Sequence, residues 1–265
     1  MSNVLYEVRD QVAILTLNRP DSLNSVNLGM IDALFAASSQ AATDSSVRAV
    51  LVRGAGEHFM AGGDLNWFRE QTVLPEAECR DNFGGLIETV QASILNFKRM
   101  NKPVIASVHG AVAGFGLSLM MAADLVLASE DAYFTLAYSK IALSPDGGAT
   151  WSLARQVGLK QAMEIALLGD RFDVNRAREL GLVNRVLARD QLENESIKLA
   201  KKLASGPATA LAHTKALLNQ SLENSLEAQL SEEQKFFAEC VANPDFSEGL
   251  TSFFEKRKPV FNPKC

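Results

Sequence analysis

The chain has 265 residues, 47% of them hydrophobic and 22% charged, which predicts a packed core in one large domain or in a domain with an appendage. A net charge of −5 without a basic stripe argues against nucleic-acid binding. The three cysteines, Cys79, Cys240 and Cys265, have neither metal nor redox spacing and fit a reducing compartment. No signal peptide is recognised, and the longest apolar stretch, residues 117–128, is too short to span a bilayer. We therefore expect a cytoplasmic protein with no membrane or nucleic-acid partner and no metal site.

Strand and helix patterns alternate along the first part of the chain. β-branched and alternating runs predict strands at residues 4–8, 12–17, 49–52, 104–108, 125–128 and 132–135, with the first two joined at Arg9-Asp10. Apolar residues at helical spacing predict helices after a cap at Asn27, over residues 79–98 and 117–123, and at about 149–157. After Val186 the pattern is helical to about Phe254. The sequence thus predicts an α/β core over residues 1–192 and a helical region over residues 193–265.

Two glycine-bearing segments follow predicted strands. They read Phe59-Met60-Ala61-Gly62-Gly63-Asp64-Leu65 and His109-Gly110-Ala111-Val112-Ala113-Gly114-Phe115-Gly116-Leu117. A strand that turns through glycines into a helix leaves unpaired N–H groups at the start of the helix. Two such turns facing one cavity can bind one oxygen between two donors, as an oxyanion hole does. Glycines in either segment alone also suit packing and turns, and neither segment matches a phosphate-binding loop.

Five segments in the same order resemble the crotonase superfamily, the enoyl-CoA hydratase/isomerase group, over nearly the whole chain. They are Asn18-Arg19-Pro20 with Leu23-Asn24; Phe59-x-Ala61-Gly62-Gly63-Asp64-Leu65; Lys102-Pro103-Val104-Ile105-Ala106 with Gly110 and Gly114-Phe115-Gly116; Ala177-x-x-Leu180-Gly181-Leu182-Val183-Asn184; and Phe254-x-Lys256-Arg257-Lys258-Pro259-x-Phe261. The resemblance implies an α/β fold, the crotonase (ClpP-like) spiral of β-β-α units, with a C-terminal helical trimerisation region. It also implies an acyl-CoA thioester as substrate, no separate cofactor, and a homotrimer or homohexamer.

The resemblance also assigns roles to individual residues. It implies that the Gly63 and Phe115 N–H groups bind the thioester oxygen and that the Ala61 carbonyl accepts from the adenine of coenzyme A. Further substrate-binding positions are Leu23, Ser25, Gly62, Asp64, Leu65, Gly114, Ser118, Tyr138 and Lys256. Residues 67–82 are expected to form part of the wall of the acyl pocket.

The departures from the family select the chemistry. Ser118 and Tyr138 stand where enoyl-CoA hydratases carry their two catalytic glutamates, and neither can act as a carboxylate base near neutral pH. Asp146, in Ser144-Pro145-Asp146-Gly147-Gly148, is the carboxylate that remains. Turn chemistry alone favours a turn or helix-capping role for it. The resemblance to double-bond isomerases, above all the epoxyphenylacetyl-CoA isomerase type, implies that Asp146 transfers the proton.

The sequence leaves three functions open. The first is an enoyl-CoA isomerase that uses Asp146 as acid and base. The second is an enoyl-CoA hydratase that uses the same residue with a water, and the third is a non-catalytic acyl-CoA binder. Three polar residues are interpreted as structural: Asp64 in its own turn, His109 before the second glycine turn, and Asp124.

Overall fold

The structure, a computed structural model, describes residues 2–261, so Met1 and residues 262–265, with Cys265, lie outside the described residues. Its strands are β1 (Val4–Arg9), β2 (Val12–Leu17), β3 (Ala49–Gly54), β4 (Val104–Val108), β5 (Ala111–Ala113), β6 (Leu125–Ser129), β7 (Tyr133–Thr135), β8 (Phe172–Asp173) and β9 (Arg185–Leu187). Its α-helices are α1 (Leu28–Thr43), α2 (Leu65–Gln71), α3 (Glu76–Arg99), α4 (Phe115–Ala122), α5 (Ala149–Val157), α6 (Leu159–Leu168), α7 (Val174–Glu179), α8 (Arg189–Ala204), α9 (Ala208–Gln220), α10 (Leu226–Val241) and α11 (Pro244–Phe254). Single 3₁₀ turns occupy Pro20–Ser22 and Ala137–Ile141.

A six-stranded sheet runs through the described residues in the order β1-β2-β3-β4-β6-β9. The β1–β2 pair is antiparallel, and the other neighbours pair in parallel. The β1–β2 connection is Asp10-Gln11, with φ of 50° and 63°, so the prediction of Arg9-Asp10 was wrong by one residue. A two-residue connection with positive φ at both positions matches the right-handed twist of the flanking strands.

A second sheet joins β5, β7 and β8, and β5 was not predicted. This strand lies inside the second glycine segment, between Gly110 and Gly114, whose φ values are 55° and 51°. Three residues between two positive-φ glycines carry too short a pattern to indicate a strand. Met60 of the first glycine segment bridges to Val112 of β5, so backbone pairing joins the two segments directly.

The central strands of the sheet, β2, β3, β4 and β6, are buried on both faces. One face packs with α1, α3 and α4 into the larger core, which contains the fully buried Leu15, Leu34 and Phe97. On the other face, Leu192 and Ala200 of α8 pack against sheet residues in a smaller cluster. Strands buried on both faces read as continuous apolar runs, which explains why the sequence located them well.

The predicted division after residue 192 falls within α8, a helix that packs against the sheet. Helices α9, α10 and α11 follow it and carry large apolar side chains exposed on this chain: Leu218, Leu226, Leu230, Phe237, Phe253 and Phe254. Within residues 2–261, no helix is both long and apolar enough to cross a membrane.

Asp124 and His109 have structural contacts, as predicted. Asp124 accepts a hydrogen bond from the Val104 N–H at 2.7 Å and forms an ion pair with Lys215 at 2.9 Å. Burial raises the pKa of Asp124 despite the attraction of Lys215. His109 is buried, and its Nε2 lies 3.0 Å from the Gly56 carbonyl oxygen.

Lys215→Met should destabilise the protein by about 3–5 kcal/mol, because it leaves the largely buried carboxylate of Asp124 without the cation that forms its ion pair. Urea unfolding measures the change. Lys198→Met, which breaks an exposed pair with Glu195, is the control and should cost less than about 1 kcal/mol. The double variant Lys215→Met/Asp124→Asn should regain part of the loss. Equal stability of the single and double variants would contradict the attribution of the loss to the unpaired carboxylate of Asp124.

Candidate active site

The two glycine turns contact each other through their backbones. Gly62 has a φ of 86° and Gly114 a φ of 51°, a region that favours glycine. A Cβ atom placed on Gly114 would lie 3.3 Å from the Gly62 Cα, and one on Gly62 would lie 3.3 Å from the Ala113 carbonyl oxygen. Side chains at these positions would force the turns apart, so the glycines permit the close approach.

Each turn leaves one backbone donor free. In the bridge between Val26 and Gly63, Val26 N–H donates to the Gly62 carbonyl and Asp64 N–H donates to the Val26 carbonyl, both at 2.8 Å. A parallel bridge of this kind directs the Gly63 N–H away from Val26. Phe115 is the first residue of α4, where an N–H has no partner within the helix. Neither N–H donates to an acceptor on another described residue.

These two residues line the same cavity, whose volume is about 260 Å³. Most of the cavity is apolar, with walls from α2, α3 and the segment 137–146. The described residues that line it are Val26, Ala61, Gly62, Gly63, Leu65, Phe68, Leu86, Val90, Ala113, Gly114, Phe115, Ala137, Tyr138, Lys140, Ile141, Leu143 and Asp146. Asp146 is the one acidic residue among them, so a carboxylate and two free N–H donors meet in an apolar space.

Asp146 is held by hydrogen bonds from Tyr138 and Ser118. The Tyr138 hydroxyl donates to Asp146 Oδ1 at 2.6 Å, and the Ser118 hydroxyl donates to the Asp146 backbone carbonyl at 3.1 Å. Ser118 and Tyr138 are both buried. Their contacts fix the loop and one carboxylate oxygen, while Oδ2 accepts no hydrogen bond from another described residue.

Burial sets the protonation behaviour of this pair. It raises the pKa of Asp146 above its ordinary value, and the hydrogen bond from Tyr138 offsets part of that rise. Burial, together with the nearby carboxylate, raises the pKa of Tyr138 far above its ordinary value. Tyr138 therefore stays a neutral donor, and Asp146 is a stronger base than an exposed aspartate.

Two left-handed glycines bring Asp146 to the cavity. Gly147 and Gly148 have φ values of 58° and 71°. A Cβ atom on Gly147 would lie 2.9 Å from the Phe115 ring and 3.1 Å from the Ser118 Cβ. The loop can therefore pack against the start of α4 because position 147 lacks a side chain. Asp146 also closes the turn into α5, since its carbonyl accepts from the Ala149 N–H at 3.0 Å.

Asp64 stabilises the first turn, as predicted. Its carboxylate caps α2 by accepting from the Asn66 and Trp67 N–H groups, and it forms an ion pair with Arg19 at 2.8 Å. Burial raises the pKa of Asp64, but the hydrogen bonds from Arg19 and the backbone outweigh burial, so the pKa lies below its ordinary value. Arg19 also donates to the Ser25 carbonyl.

The structure groups most of the predicted site residues but not all. Eight of them line the cavity: Ala61, Gly62, Gly63, Leu65, Gly114, Phe115, Tyr138 and Asp146. Ser118 lies behind the Asp146 loop, and Asp64 and Ser25 lie beneath the first turn. Leu23 lines an adjoining groove that shares Ala61 and Lys140 with the cavity. Lys256 is exposed after the end of α11 and does not line the cavity.

Some of the cavity wall was not predicted. Leu86 and Val90 of α3 line it, as do Ile141 and Leu143. The helical spacing of α3 identified Leu86 and Val90 only as inward-facing, because spacing does not separate a core position from a pocket position. Within the predicted wall segment, Phe68 lines the cavity, and its ring lies 5.8 Å from that of Trp67 and 5.0 Å from that of Phe83.

Paired glycine turns on a helix-covered sheet, with free N–H groups and a carboxylate in an apolar cavity, are typical of enzymes that stabilise an oxyanion. Residues 7–264 match the family model described as Enoyl-CoA hydratase/isomerase, and the chain belongs to this family. The resemblance found in the sequence is thereby confirmed.

The relatives include both hydratases and isomerases. The 1,2-epoxyphenylacetyl-CoA isomerase of Escherichia coli is 35% identical over 264 residues, which cover 100% of both chains. A probable enoyl-CoA hydratase of Rhodobacter capsulatus is 35% identical over 258 residues, 97% of each chain. The crystal structure of an enoyl-CoA hydratase from Polaromonas sp. JS666 superposes with a TM-score of 0.91 at 33% identity, over 98% of this chain and 99% of that one. The chain is thus an acyl-CoA enzyme with the crotonase fold.

Gly147→Ala should lower the free energy of unfolding by at least about 2 kcal/mol, because an alanine there would combine a left-handed φ with overlap at the Phe115 ring. Gly84→Ala is the matched control. Gly84 lies inside α3 with no atom near the added Cβ, so the substitution should raise the free energy of unfolding by about 0.5–1 kcal/mol. Urea unfolding of both variants measures the effects, and equal free energies of unfolding would contradict the assignment of the loop geometry to Gly147.

Proposed function

We propose that this protein is an enoyl-CoA isomerase that moves a double bond through an enolate, with Asp146 as both acid and base. The observation that supports the proposal is the shared cavity: Asp146 is the one acidic residue among the described lining residues, and Gly63 and Phe115, whose N–H groups have no acceptor among those residues, line the same space. A single carboxylate suffices for isomerisation because the proton that it removes is the proton that it returns.

The proposed reaction has two proton transfers. The Asp146 carboxylate, through its free Oδ2, removes a proton from the carbon next to the thioester carbonyl of a 3-enoyl-CoA. The negative charge passes to the thioester oxygen, which accepts hydrogen bonds from the Gly63 and Phe115 N–H groups. Asp146 then returns the proton to the γ carbon, which gives the 2-enoyl-CoA. Loss of one such donor typically costs about 3–4 kcal/mol of transition-state stabilisation.

Hydration is the second candidate function, because the relatives include hydratases as well as isomerases. Some relatives carry hydratase names, and hydration here would need Asp146 to activate a water, since Ser118 and Tyr138 replace the two glutamates. The match to a named isomerase over the whole chain supports isomerisation. Neither reaction needs a cofactor besides the coenzyme A of the substrate.

We also propose that the chain assembles as a homotrimer or homohexamer through its C-terminal helices. The large apolar side chains exposed on α9, α10 and α11 support this assembly, because contiguous exposed apolar surface marks interaction sites. In the assembly, Lys256 would supply positive charge to the nucleotide of coenzyme A on a neighbouring subunit.

Asp146→Asn should lower the turnover of a 3-enoyl-CoA by about 10²–10⁴-fold, the usual contribution of general acid–base catalysis. Asn retains an acceptor for Tyr138 and removes the cost of burying a charge. Burial raises the pKa of Asp146 in the folded protein, so its ionised carboxylate destabilises the fold at pH 7. The thermal midpoint of the variant should therefore be equal to that of the wild type or higher. Asp32→Asn, on the exposed face of α1, is the control and should keep full activity.

Parallel assays separate the candidate functions. Crotonyl-CoA hydration faster than double-bond migration would favour the hydratase. Tight acyl-CoA binding without turnover of any enoyl-CoA would favour a non-catalytic binder. Full isomerase activity in Asp146→Asn would overturn the mechanism.

Tyr138→Phe should move the acidic limb of the isomerase pH profile to higher pH. The base must be ionised, so kcat/KM falls as the pH drops through the pKa of Asp146. The hydrogen bond from Tyr138 lowers that pKa, and its removal therefore raises it. Tyr6→Phe, in β1, is the matched control and should leave the profile unchanged. A limb that stays in place or moves to lower pH in Tyr138→Phe would contradict the role of the hydroxyl.

A further inference from the structure

A second cavity, of about 610 Å³, lies between the end of α3, the start of α5 and α9. None of the described residues that line it also lines the first cavity or the adjoining groove that contains Leu23. The second cavity is therefore separate from the candidate active site, and the proposed reaction gives it no role.

The second cavity has an excess of positive charge. Among the described residues that line it are the cations Lys98, Arg99 and Lys215 and one anion, Glu223. Glu223 lies 3.7 Å from Arg155, outside this set, and so its charge is already shared. The charges around this cavity therefore favour an anionic ligand over a neutral or cationic one.

Two of the three cations have no acceptor. Lys215 donates to Asp124 and to two backbone carbonyls, which uses all three of its protons. Lys98 and Arg99, which are neighbours in the last turn of α3, donate no side-chain hydrogen bond to any residue within 2–261 and form no close ion pair there. Both are therefore available to a ligand.

Lys98 is the unusual member of this pair. Arg99 is exposed, whereas Lys98 is half-buried. Burial lowers the pKa of Lys98; the attraction of Asp124 opposes this effect, and repulsion from Lys215 adds to it. A bound anion would stabilise Lys98, because it would offset both the lost hydration and the repulsion.

The same cavity offers a surface for a planar ring. Trp151 of α5 lines it and is 39% exposed, and the Arg155 guanidinium covers one face of the indole, 4.0 Å from its centroid. The side-chain amides of Asn101 and Gln220 also line the cavity, and neither makes a hydrogen bond to another part of the described chain. A nucleobase combines a flat face with hydrogen-bonding edges, which an aromatic ring and side-chain amides match.

We propose that the second cavity binds a nucleoside phosphate, with the phosphate on Lys98 and Arg99 and the base against Trp151. Charge-assisted hydrogen bonds from lysine and arginine are strong contacts for phosphate oxygens. A phosphate ion alone has the same charge but no ring, and the experiment below separates the two. The proposal is independent of the reaction in the first cavity, because the two cavities have no described lining residue in common.

The fluorescence of Trp151 tests the proposal. The chain has two tryptophans, so Trp67→Phe leaves Trp151 as the single fluorescent indole. ADP should quench this fluorescence by stacking on the ring. Adenosine, which lacks the phosphates, should bind at least about tenfold more weakly, as expected for the loss of a charge-assisted hydrogen bond. Inorganic phosphate should not quench the fluorescence.

Variants of the two free cations assign the site. In the Trp67→Phe protein, Lys98→Met and Arg99→Gln should each weaken ADP binding about tenfold, and Lys98→Arg should keep it. Lys202→Met removes an exposed lysine of α8, is the matched control, and should bind ADP as before. Arg99 is exposed, so its variant tests the site even where Lys98→Met does not fold.

Four outcomes would overturn the proposal: no quenching by ADP, equal affinities for ADP and adenosine, equal quenching by inorganic phosphate, or ADP affinity unchanged in Lys98→Met and Arg99→Gln. The last is the result expected if ADP binds where the nucleotide of coenzyme A binds. None of these measurements needs turnover, so failure of the proposed isomerase would appear separately, as absent double-bond migration.

Discussion

The backbone contact between Gly62 and Gly114 is the constraint on which the site depends. It sets two strand-to-helix turns side by side, and Gly63 and Phe115, whose N–H groups have no acceptor among the described residues, line the same cavity. Backbone donors held by bridges and helix starts need little rearrangement when charge develops on a bound oxygen. The same contact draws β5 against the first segment through Met60, so the sheet that follows is anchored to the site.

Ser118 and Tyr138 hold Asp146 in place. Ser118 binds the backbone of Asp146, and Tyr138 binds its side chain. The cavity therefore contains one half-buried carboxylate that is oriented by a neutral donor. Gly147 permits this arrangement, because a side chain there would meet the Phe115 ring.

The sequence predicted most of the fold and part of the site. The buried parallel strands and Asn27 as the cap of α1 were located closely, because continuous apolar runs and side-chain caps are local signals. Strand β5 was missed, since its pairing with β7 depends on residues distant in the chain. Asp146 was selected through the family resemblance, because its loop alone favours a turn or helix-capping role. No local sequence pattern indicates its contacts with Tyr138 and Ser118, because these depend on the tertiary structure. The same holds for the cavity walls at Leu86 and Val90.

Arg19 cross-links the first glycine turn to the loop before α1. Its guanidinium holds the Ser25 carbonyl and the Asp64 carboxylate at once, and Val26 bridges to Gly63 beside them. The loop that precedes α1 is therefore held against the turn at Gly63 by these contacts and does not cover the cavity. Another wall of the cavity carries Ile141 and Leu143, whose side chains are exposed to solvent. The cavity thus combines one wall that is cross-linked by Arg19 with another whose apolar side chains reach the solvent.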